Sequence, residues 1–377
     1  MRGLCQRTAL MIVSWGIGCK SFLVDGELFA QKLSDNDRYG RKSHGLCLMH
    51  QQLTQGAPMK SISKDMSKYI AKVVEEEQSK KHEGNTTTTM EMLDLQDHEL
   101  FGIAAVGIDG QVEKGAETSV KFPLESVSKA LSLALALEDV GPEFLFSRVA
   151  KEPRGDEFNS VAAIEEGENG LPSNPMINAG AIVCTSHIKG RNGDERFDRI
   201  LKFVRDLANN QSIDFNQQMV DEEPKDLNRA IFYYLRAQEL VEGREEDKLI
   251  PYMKQTSIEV DCVDLAHIAA VFANDGCCLK SGKRLISTET VRIVLTLMFT
   301  TGMYEGSGSF AVDVGIPAKS GISGAIMAVV PGRMGLSTMG PALDDHGNSI
   351  AGVNMLKKVT KRWNLAIFDM NNAIYNS

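Results

Sequence analysis

The sequence has no excess of basic residues and no long apolar segment. It carries 41 lysines and arginines against 50 aspartates and glutamates, a formal net charge of -9 at pH 7. A nucleic-acid-binding surface needs a basic footprint, so this composition argues against nucleic acid as a partner. No run approaches eighteen apolar residues, so we expect no membrane span. With 377 residues, 43% of them hydrophobic, the chain can form one large domain or two closely packed halves. We expect a small soluble substrate.

The cysteines lack the spacing of a zinc site or a disulfide framework. There are seven, an odd number; Cys277 and Cys278 are adjacent, and no Cys-x-x-Cys pair occurs. This pattern is typical of reduced thiols and predicts a cytoplasmic location. The alternative is export or lipid anchoring through residues 1–19, where Arg2 and Arg7 precede a short apolar run that ends before Cys19. Residues 1–58 lack sustained periodicity and predict a weakly ordered or signal-like N-terminal extension.

Two common hydrolase signatures are also missing. No Gly-x-Ser-x-Gly elbow occurs, and most of the seven histidines lie in the extension or in polar stretches. A histidine-based catalytic triad is therefore disfavoured. No histidines are spaced as a metal-binding pair, so we expect no metal site.

Periodicity divides the remaining chain into strands, helices and strands again. Residues 100–108 and 111–120 flank Asp109-Gly110 and predict a hairpin, because Asp-Gly readily supplies the positive φ angles of a tight turn. The pattern is helical over about 63–78 and almost throughout 127–298. Strand-like runs follow at 308–314, 325–330, 335–338 and 350–353, with a closing helix at 359–371. One sheet interrupted by a helical subdomain is the expected architecture.

A Ser-x-x-Lys pattern occurs twice. Ser61 opens a half-polar amphipathic helix, where a capping role is sufficient. Ser126 and Lys129 instead precede residues 130–137, which are apolar nearly all round and predict a buried helix. Residues i and i+3 share one helix face, and burial disfavours the charged form of a lysine, so Lys129 could take the proton of Ser126. The alternative is that Ser126 caps the helix and Lys129 extends to water.

A second element lies downstream of the helical block. The run Lys319-Ser-Gly321 has the form and chain position of the Lys-Thr-Gly motif of penicillin-recognising enzymes. A strand edge there would present the backbone N–H of Ile322, which together with that of Ser126 would form an oxyanion hole. A plain Lys-Ser-Gly turn is the alternative.

Taken together, five segments resemble the serine-dependent glutaminase family over about residues 60–370. The most specific is Asn-Pro-Met-Ile-Asn-Ala-Gly-Ala-Ile at 174–182. The resemblance implies an α+β, β-lactamase/transpeptidase-like fold, an antiparallel sheet flanked by helices with an inserted all-helical subdomain. The catalytic domain would span 59–372, its sheet part about 99–122 and 308–372 and its helical part about 123–300. The segments are 122–129, 151–155, 158–160, 174–182 and 318–321.

The resemblance implies hydrolysis of L-glutamine to L-glutamate and ammonia through a γ-glutamyl ester of the serine. It also implies a homodimer or homotetramer and no cofactor. One alternative is a β-lactamase or penicillin-binding activity, although no Ser-x-Asn element follows in the expected place. Another is a catalytically silent homologue that binds glutamine.

Matching the family motifs residue by residue gives a predicted site. Glu222 is the expected partner of the substrate ammonium, but it stands six residues before Asn228, where the family has seven, and Asp221 would keep that spacing. Tyr69 matches an early active-site tyrosine, with a core-facing helix tyrosine as the alternative. The predicted catalytic residues are Ser126, Lys129, Tyr252 and Tyr304, and the predicted substrate-binding residues are Tyr69, Ser126, Asn178, Glu222, Asn228, Tyr252, Tyr304 and Ile322.

Overall fold

The computed structural model describes residues 64–79, 83–85, 100–153, 170–222 and 225–369, with the backbone alone at Lys64 and Glu222. The predicted extension at 1–58 and the first Ser-x-x-Lys serine, Ser61, lie outside these residues. In chain order the helices are α1 Lys64–Gln78, α2 Ser128–Val140, α3 Pro142–Phe146, α4 Asn178–His187, α5 Gly193–Ala208, α6 Gln217–Glu222, α7 Asp226–Ala237, α8 Glu245–Lys248, α9 Ile250–Thr256, α10 Cys262–Ala273, α11 Thr288–Thr301, α12 Ser307–Asp313 and α13 Ile350–Trp363.

The strands form two antiparallel sheets within the described part of the chain. The larger has the order β2-β1-β8-β7-β6, and the smaller has the order β3-β5-β4. The predicted hairpin is β1 and β2, in register from Gly102 opposite Ala116 to Val106 opposite Val112. The strands are β1 Gly102–Gly107, β2 Val112–Ala116, β3 Phe122–Pro123, β4 Asp214–Phe215, β5 Ile258–Val260, β6 Ala318–Ser320, β7 Ala325–Val330 and β8 Met334–Met339.

Two apolar clusters lie on opposite faces of the large sheet, because successive strand residues point to opposite sides. Ile103 packs with α1 and α13, whereas Ala104 packs with the helical block. Helix α10 covers the second face and contacts β1, β7 and β8. Gly335 permits this approach, since a Cβ there would lie 2.2 Å from the Ala266 carbonyl oxygen. The sheet is thus held between α1 with α13 and the helical block.

The interior of the helical block contains a polar contact between three helices. Thr185 of α4 donates to the side-chain oxygen of Gln255 on α9 at 3.1 Å, and the Gln255 amide nitrogen donates to Ser132 of α2 at 3.2 Å. All three side chains are buried, and each of these bonds satisfies groups that would otherwise be unpaired in the core. They fix α2, which carries the Ser-Lys pair, against two neighbours.

Two of the predicted strands are wrong. Residues 308–314 lie largely in α12, where Phe310 and Val314 are buried one helical turn apart while Val312 is 87% exposed. Alternating apolar residues in a short run are compatible with both periods, and packing selects the helical one. Residues 350–353 begin α13, which Ser349 caps by accepting from the Gly352 N–H at 3.0 Å. The closing helix therefore starts at Ile350 rather than 359.

The cysteines follow the expectation in part. Cys184, Cys262 and Cys278 are free thiols. Cys277 is disulfide-bonded, so the prediction of a fully reduced set is wrong for that residue. Among the helices of the described ranges, none combines the length and apolar character that crossing a bilayer requires.

Candidate active site

Ser126 lies in a 3-10 turn, Glu125–Val127, between β3 and the buried helix α2. The Leu124 N–H donates to the Ile258 carbonyl at 2.8 Å, which ties the start of the turn to the small sheet. Glu125 adopts a φ of 46°, a conformation that is costly for a residue with a side chain. Such strain is concentrated at functional sites, where the surrounding structure holds it in place. The strained residue, Glu125, directly precedes the predicted nucleophile, Ser126.

Lys129 contacts Ser126, as expected for a residue three positions further along a helical segment. Its Nζ lies 3.0 Å from Ser126 Oγ and 2.6 Å from Asn178 Oδ1, and the side chain is 1% exposed. The lysine therefore does not extend to water, and the capping alternative does not describe this pair. A buried amine within hydrogen-bonding distance of a serine is the arrangement that activates a serine nucleophile.

Asn178 stands at the start of α4, positioned by the loop that precedes it. In that loop Asn174 accepts from the Met176 N–H at 3.0 Å and donates to the Glu152 carbonyl at 2.9 Å. While Asn178 Oδ1 faces Lys129, its Nδ2 donates to Asn228 Oδ1 at 3.3 Å. The predicted substrate-binding asparagines are thus adjacent to each other and to the base.

Tyr304 lies in a second 3-10 turn, Tyr304–Gly306, with a φ of 52°. Its hydroxyl donates to the Ser320 carbonyl at 3.2 Å. Burial raises the pKa of Tyr304, the charges of Glu125 and Glu305 add to this, and a hydrogen bond with the Ser126 side chain acts in the opposite direction. Tyr304 is therefore a neutral hydroxyl beside the serine.

Lys319 is a second buried lysine next to the same groups. Its Nζ donates to the Gly302 carbonyl at 3.1 Å and to the Ser320 carbonyl at 2.7 Å, and it lies 4.4 Å from the centre of the Tyr304 ring. Burial lowers the pKa of Lys319 well below its ordinary value, and the nearby charge of Lys129 lowers it further. The site thus disfavours having both lysines charged.

Tyr252 and Ile322 lie on two elements that pack against the Ser126 turn. Tyr252 is buried in α9, and Ile322 follows the strand β6, and both α9 and β6 contact the turn. Serine, lysine, tyrosines, asparagines and a strand-end amide thus converge from separate parts of the chain. This set is suited to acyl transfer from an amide, with a serine nucleophile and an amine base.

The sequence signature of the family described as Glutaminase matches residues 84–368. The chain belongs to the glutaminase family. A curated relative from Clostridium perfringens (strain 13 / Type A), named Glutaminase 2, is 42% identical over 305 residues, which cover 80% of this chain and 100% of that relative. A relative from Shouchella clausii (strain KSM-K16), named Glutaminase, is 46% identical over 273 residues, which cover 72% of this chain and 88% of that relative.

Solved structures agree with the match. One described as the covalent complex between the Bacillus subtilis glutaminase YbgJ and 5-oxo-L-norleucine is 30% identical, with a TM-score of 0.72, over 80% of this chain and 99% of that one. The predicted family and the β-lactamase-like fold class are confirmed, and so is the assignment as an enzyme of the glutaminase class, a hydrolase acting on an amide.

Two predicted residues of this glutaminase family member are not brought to the serine by described contacts. The Tyr69 hydroxyl lies 3.5 Å from the Lys358 carbonyl oxygen, and its ring meets that of Trp363 edge-on at 5.1 Å, on the α1 and α13 side of the sheet. Glu222 ends α6, and its side chain lies outside the described residues. Its alternative, Asp221, is exposed and accepts from Gln217 at 2.8 Å.

The sequence does not indicate every residue that the structure places in the candidate site. Lys319 was recognised only as part of a strand-edge motif, although its side chain is completely buried beside Tyr304. A lysine in a run of small and apolar residues, such as Ala318 before it and Gly321 after it, was the available signal. Within the described ranges, no group of three or more histidines, cysteines or carboxylates is placed to hold a metal ion.

Proposed function

We propose that the protein hydrolyses L-glutamine to L-glutamate and ammonia through a γ-glutamyl ester of Ser126, with Lys129 as the base. The observation that carries this proposal is the 3.0 Å separation of Lys129 Nζ from Ser126 Oγ in a buried site. It occurs in a chain that is 42% identical to a relative named Glutaminase 2.

Acylation begins with transfer of the Ser126 proton to the neutral amine of Lys129. One N–H of that amine is directed to Asn178 Oδ1, which leaves its lone pair for the serine. Ser126 Oγ then bonds to the side-chain carbonyl carbon of glutamine, and the oxygen becomes an oxyanion. As the carbonyl re-forms, the C–N bond breaks, and the proton on Lys129 passes to the leaving nitrogen, which departs as ammonia.

The backbone N–H groups of Ser126 and Ile322 are the proposed oxyanion donors. The first lies in the strained turn and the second follows β6, which packs against that turn. Backbone donors fixed in place need no reorganisation as negative charge develops, which is why they stabilise the transition state.

Deacylation requires a water molecule and a group that takes its proton. Lys129 is neutral again after ammonia has left and is within reach of the ester oxygen. The Tyr304 hydroxyl, held neutral by burial, can relay a proton between water and the serine. Tyr252, buried on an element beside the same turn, is the other proposed relay.

Glutamine also carries an α-carboxylate and an α-ammonium that need buried partners. The Asn178 and Asn228 amides offer N–H donors for the carboxylate. A carboxylate from Glu222, or from Asp221 in its place, would bind the ammonium, and Tyr69 is proposed as a further contact. Polar partners left unpaired by a wrong ligand would provide the specificity.

A covalent complex of a relative supports the serine ester. The Bacillus subtilis structure is described as formed by reaction of that protein with 6-diazo-5-oxo-L-norleucine. This reagent carries a diazo ketone where glutamine has its carboxamide. A nucleophile that bonds to the diazo carbon with loss of N2 leaves the 5-oxo group intact, so the covalent product supports a nucleophile beside the position of the carboxamide.

An ammonia-release assay with L-glutamine, D-glutamine and L-asparagine tests the proposal. We expect turnover of L-glutamine and little release from the other two. Ser126→Ala should lower kcat at least about 10⁴-fold. Ser186→Ala, which replaces a buried serine near the end of α4, is the matched control and should stay active. Wild-type ammonia release by Ser126→Ala would refute the nucleophile, and covalent labelling by a penicillin together with inactivity on glutamine would favour the β-lactamase alternative.

Two further properties stay predictions. We infer assembly as a homodimer or homotetramer, which light scattering of the purified protein would measure. The cytoplasmic location predicted from the cysteines would be checked by fractionation, and N-terminal sequencing of the native protein would detect removal of residues 1–19.

A further inference from the structure

Three successive backbone carbonyls lead into and include Tyr304, and each accepts a hydrogen bond from a buried side chain. Lys319 donates to Gly302 O at 3.1 Å, Asn348 donates through Nδ2 to Met303 O at 3.2 Å, and Ser307 donates to Tyr304 O at 2.7 Å. Ser307 Oγ also accepts from the Met303 N–H at 3.0 Å. The strained tyrosine therefore lies in a backbone segment fixed from several directions.

Asn348 is the donor that comes from farthest away in the chain. It belongs to the loop 344–349 between β8 and α13, here named the Asp344 loop. Asp344 Oδ1 accepts from the N–H groups of His346 and Asn348, both at 2.9 Å. The Asp344 N–H donates to Asn348 O at 2.8 Å, and the Gly347 N–H to Asp344 O at 3.0 Å. These bonds fix the backbone of Asn348 before its side chain reaches Met303.

The Asp344 loop also contacts two predicted site residues directly. Gly347 has a φ of 88°, and a Cβ built on it would lie 3.6 Å from Cε2 of Tyr304 and 3.8 Å from Cγ2 of Ile322. The loop backbone thus packs on the tyrosine ring and beside the strand end proposed as an oxyanion donor. A shift of this loop would move both groups.

Of the two polar atoms of the Asn348 side-chain amide, only Nδ2 makes a hydrogen bond within the described part of the chain. The residue is 3% exposed, yet its Oδ1 has no hydrogen-bond partner among the described residues, while Nδ2 makes the bond to Met303. A buried unsatisfied acceptor is unfavourable and calls for an explanation. The hydrogen bond from Nδ2 explains why an asparagine stands at this position, because an apolar side chain has no N–H group to donate to the Met303 carbonyl.

We propose that Asn348 is a positioning residue, whose Nδ2, fixed by the Asp344 loop, holds the Met303 carbonyl and so keeps the Tyr304 hydroxyl against Ser126. This inference rests on the proposed function, in which Tyr304 relays a proton. It assigns Asn348 no contact with the substrate. Loss of the bond should therefore lower kcat rather than raise KM, because substrate binding is left in place.

The test compares Asn348→Ala with Asn274→Ala. Asn274 is an equivalent buried asparagine, 7% exposed, whose Nδ2 donates to the Cys277 carbonyl at 2.9 Å at the end of α10. Both variants should melt at a lower temperature than the wild type. Only Asn348→Ala should lower kcat for glutamine, by about 10- to 100-fold, since small misplacements of a catalytic group have effects of that size.

A double-mutant cycle with Tyr304→Phe shows whether Asn348 acts through the tyrosine. If it does, Asn348→Ala should lower kcat far less in the Tyr304→Phe background than in the wild type. An equal loss in both backgrounds, or an unchanged kcat in Asn348→Ala while Tyr304→Phe is slow, would overturn the inference and leave the proposed function intact. Unchanged turnover in Tyr304→Phe would instead refute the tyrosine's part in the proposed function, and this inference with it.

Asn348→Asp provides a pH readout and a second variant if the alanine variant does not fold. A carboxylate has no N–H to offer Met303, whereas the protonated acid regains an O–H donor at the same place. The ratio of variant to wild-type kcat should therefore rise as the pH is lowered. A ratio that does not change with pH would contradict the donor role of Nδ2.

Discussion

Lys129 Nζ lies 3.0 Å from Ser126 Oγ, and both side chains are buried. The contact follows from local geometry, because residues three apart on a helical segment share one face. The groups around the Ser126–Lys129 pair come from distant parts of the chain: Asn178 contacts the same amine at 2.6 Å, and the Tyr304 hydroxyl is hydrogen-bonded with the serine. The pair therefore has the contacts required of a nucleophile and its base.

Replacing Asn178 by aspartate should shift the acidic limb of kcat/KM to higher pH. The new carboxylate would lie against Lys129 Nζ and favour its charged form, so the neutral amine would form only in more alkaline solution. The check is kcat/KM for glutamine between pH 5 and 10 in wild type and variant. A shift in the opposite direction would contradict Lys129 as the base.

Tyr304→Phe and Tyr252→Phe should separate the two proposed proton relays. Because Tyr304 hydrogen-bonds with Ser126, its loss should reduce kcat by about 100-fold or more, the usual contribution of a positioned proton-transfer group. Tyr252 is also a predicted substrate-binding residue, so we expect Tyr252→Phe to raise KM for glutamine as well as to lower kcat, and to lower kcat less than Tyr304→Phe does. Stopped-flow measurement of ammonia release and of glutamate release would show whether acylation or deacylation is slow. A greater loss of kcat in Tyr252→Phe than in Tyr304→Phe would make Tyr252 the main proton relay.

Lys319→Met should change how stability depends on pH. In the folded protein the pKa of Lys319 is well below its ordinary 10.5, because of burial and the charge of Lys129. The unfolded chain binds this proton below pH 10.5, so unfolding takes up a proton, and wild-type stability falls as the pH decreases towards the folded pKa.

The methionine variant lacks that proton uptake. Its free energy of unfolding, relative to wild type, should therefore increase by up to about 1.4 kcal/mol for each pH unit below 10 until the folded pKa is reached. Urea unfolding at pH 9 and pH 7 measures this, with the exposed Lys114→Met as the control. A difference from wild type that is the same at both pH values would be inconsistent with a neutral Lys319.

Glu222→Gln and Asp221→Asn should decide which carboxylate binds the substrate ammonium. Asp221 is exposed and bonded to Gln217 within α6, an arrangement that surface helices commonly show. We therefore expect Glu222→Gln to raise KM for glutamine at least about tenfold, the effect of losing a charged partner, and Asp221→Asn to change it little. The reverse result would transfer the role to Asp221.

The parts of the fold and site that follow from short-range patterns could be predicted from the sequence. The hairpin β1–β2 was specified by Asp109-Gly110, and the contact between Ser126 and Lys129 by their spacing. Where one apolar pattern fits both a strand and a helix, the sequence alone does not determine the type of element. Residues 308–314 alternate like a strand, yet Phe310 and Val314 are buried one helical turn apart. That choice depends on packing against other elements.

Contacts between distant segments could not be predicted in the same way. Asn348 lies 45 residues from Met303 and in a polar loop sequence that resembles an ordinary turn, so nothing local marks its side chain as buried. The position of Lys319 against Tyr304 likewise depends on how β6 meets the second 3-10 turn. Such convergence is determined by tertiary structure, not by spacing along the chain.

Reaction with 6-diazo-5-oxo-L-norleucine, followed by peptide mass spectrometry, would show directly whether Ser126 is the nucleophile. The reagent is the one from which the covalent complex of the Bacillus subtilis relative was formed. We expect one 5-oxo-L-norleucine adduct on Ser126, loss of glutamine hydrolysis in proportion to labelling, and no adduct in Ser126→Ala. Labelling of another residue with loss of activity, or an unmodified Ser126 in a fully inactivated enzyme, would contradict it.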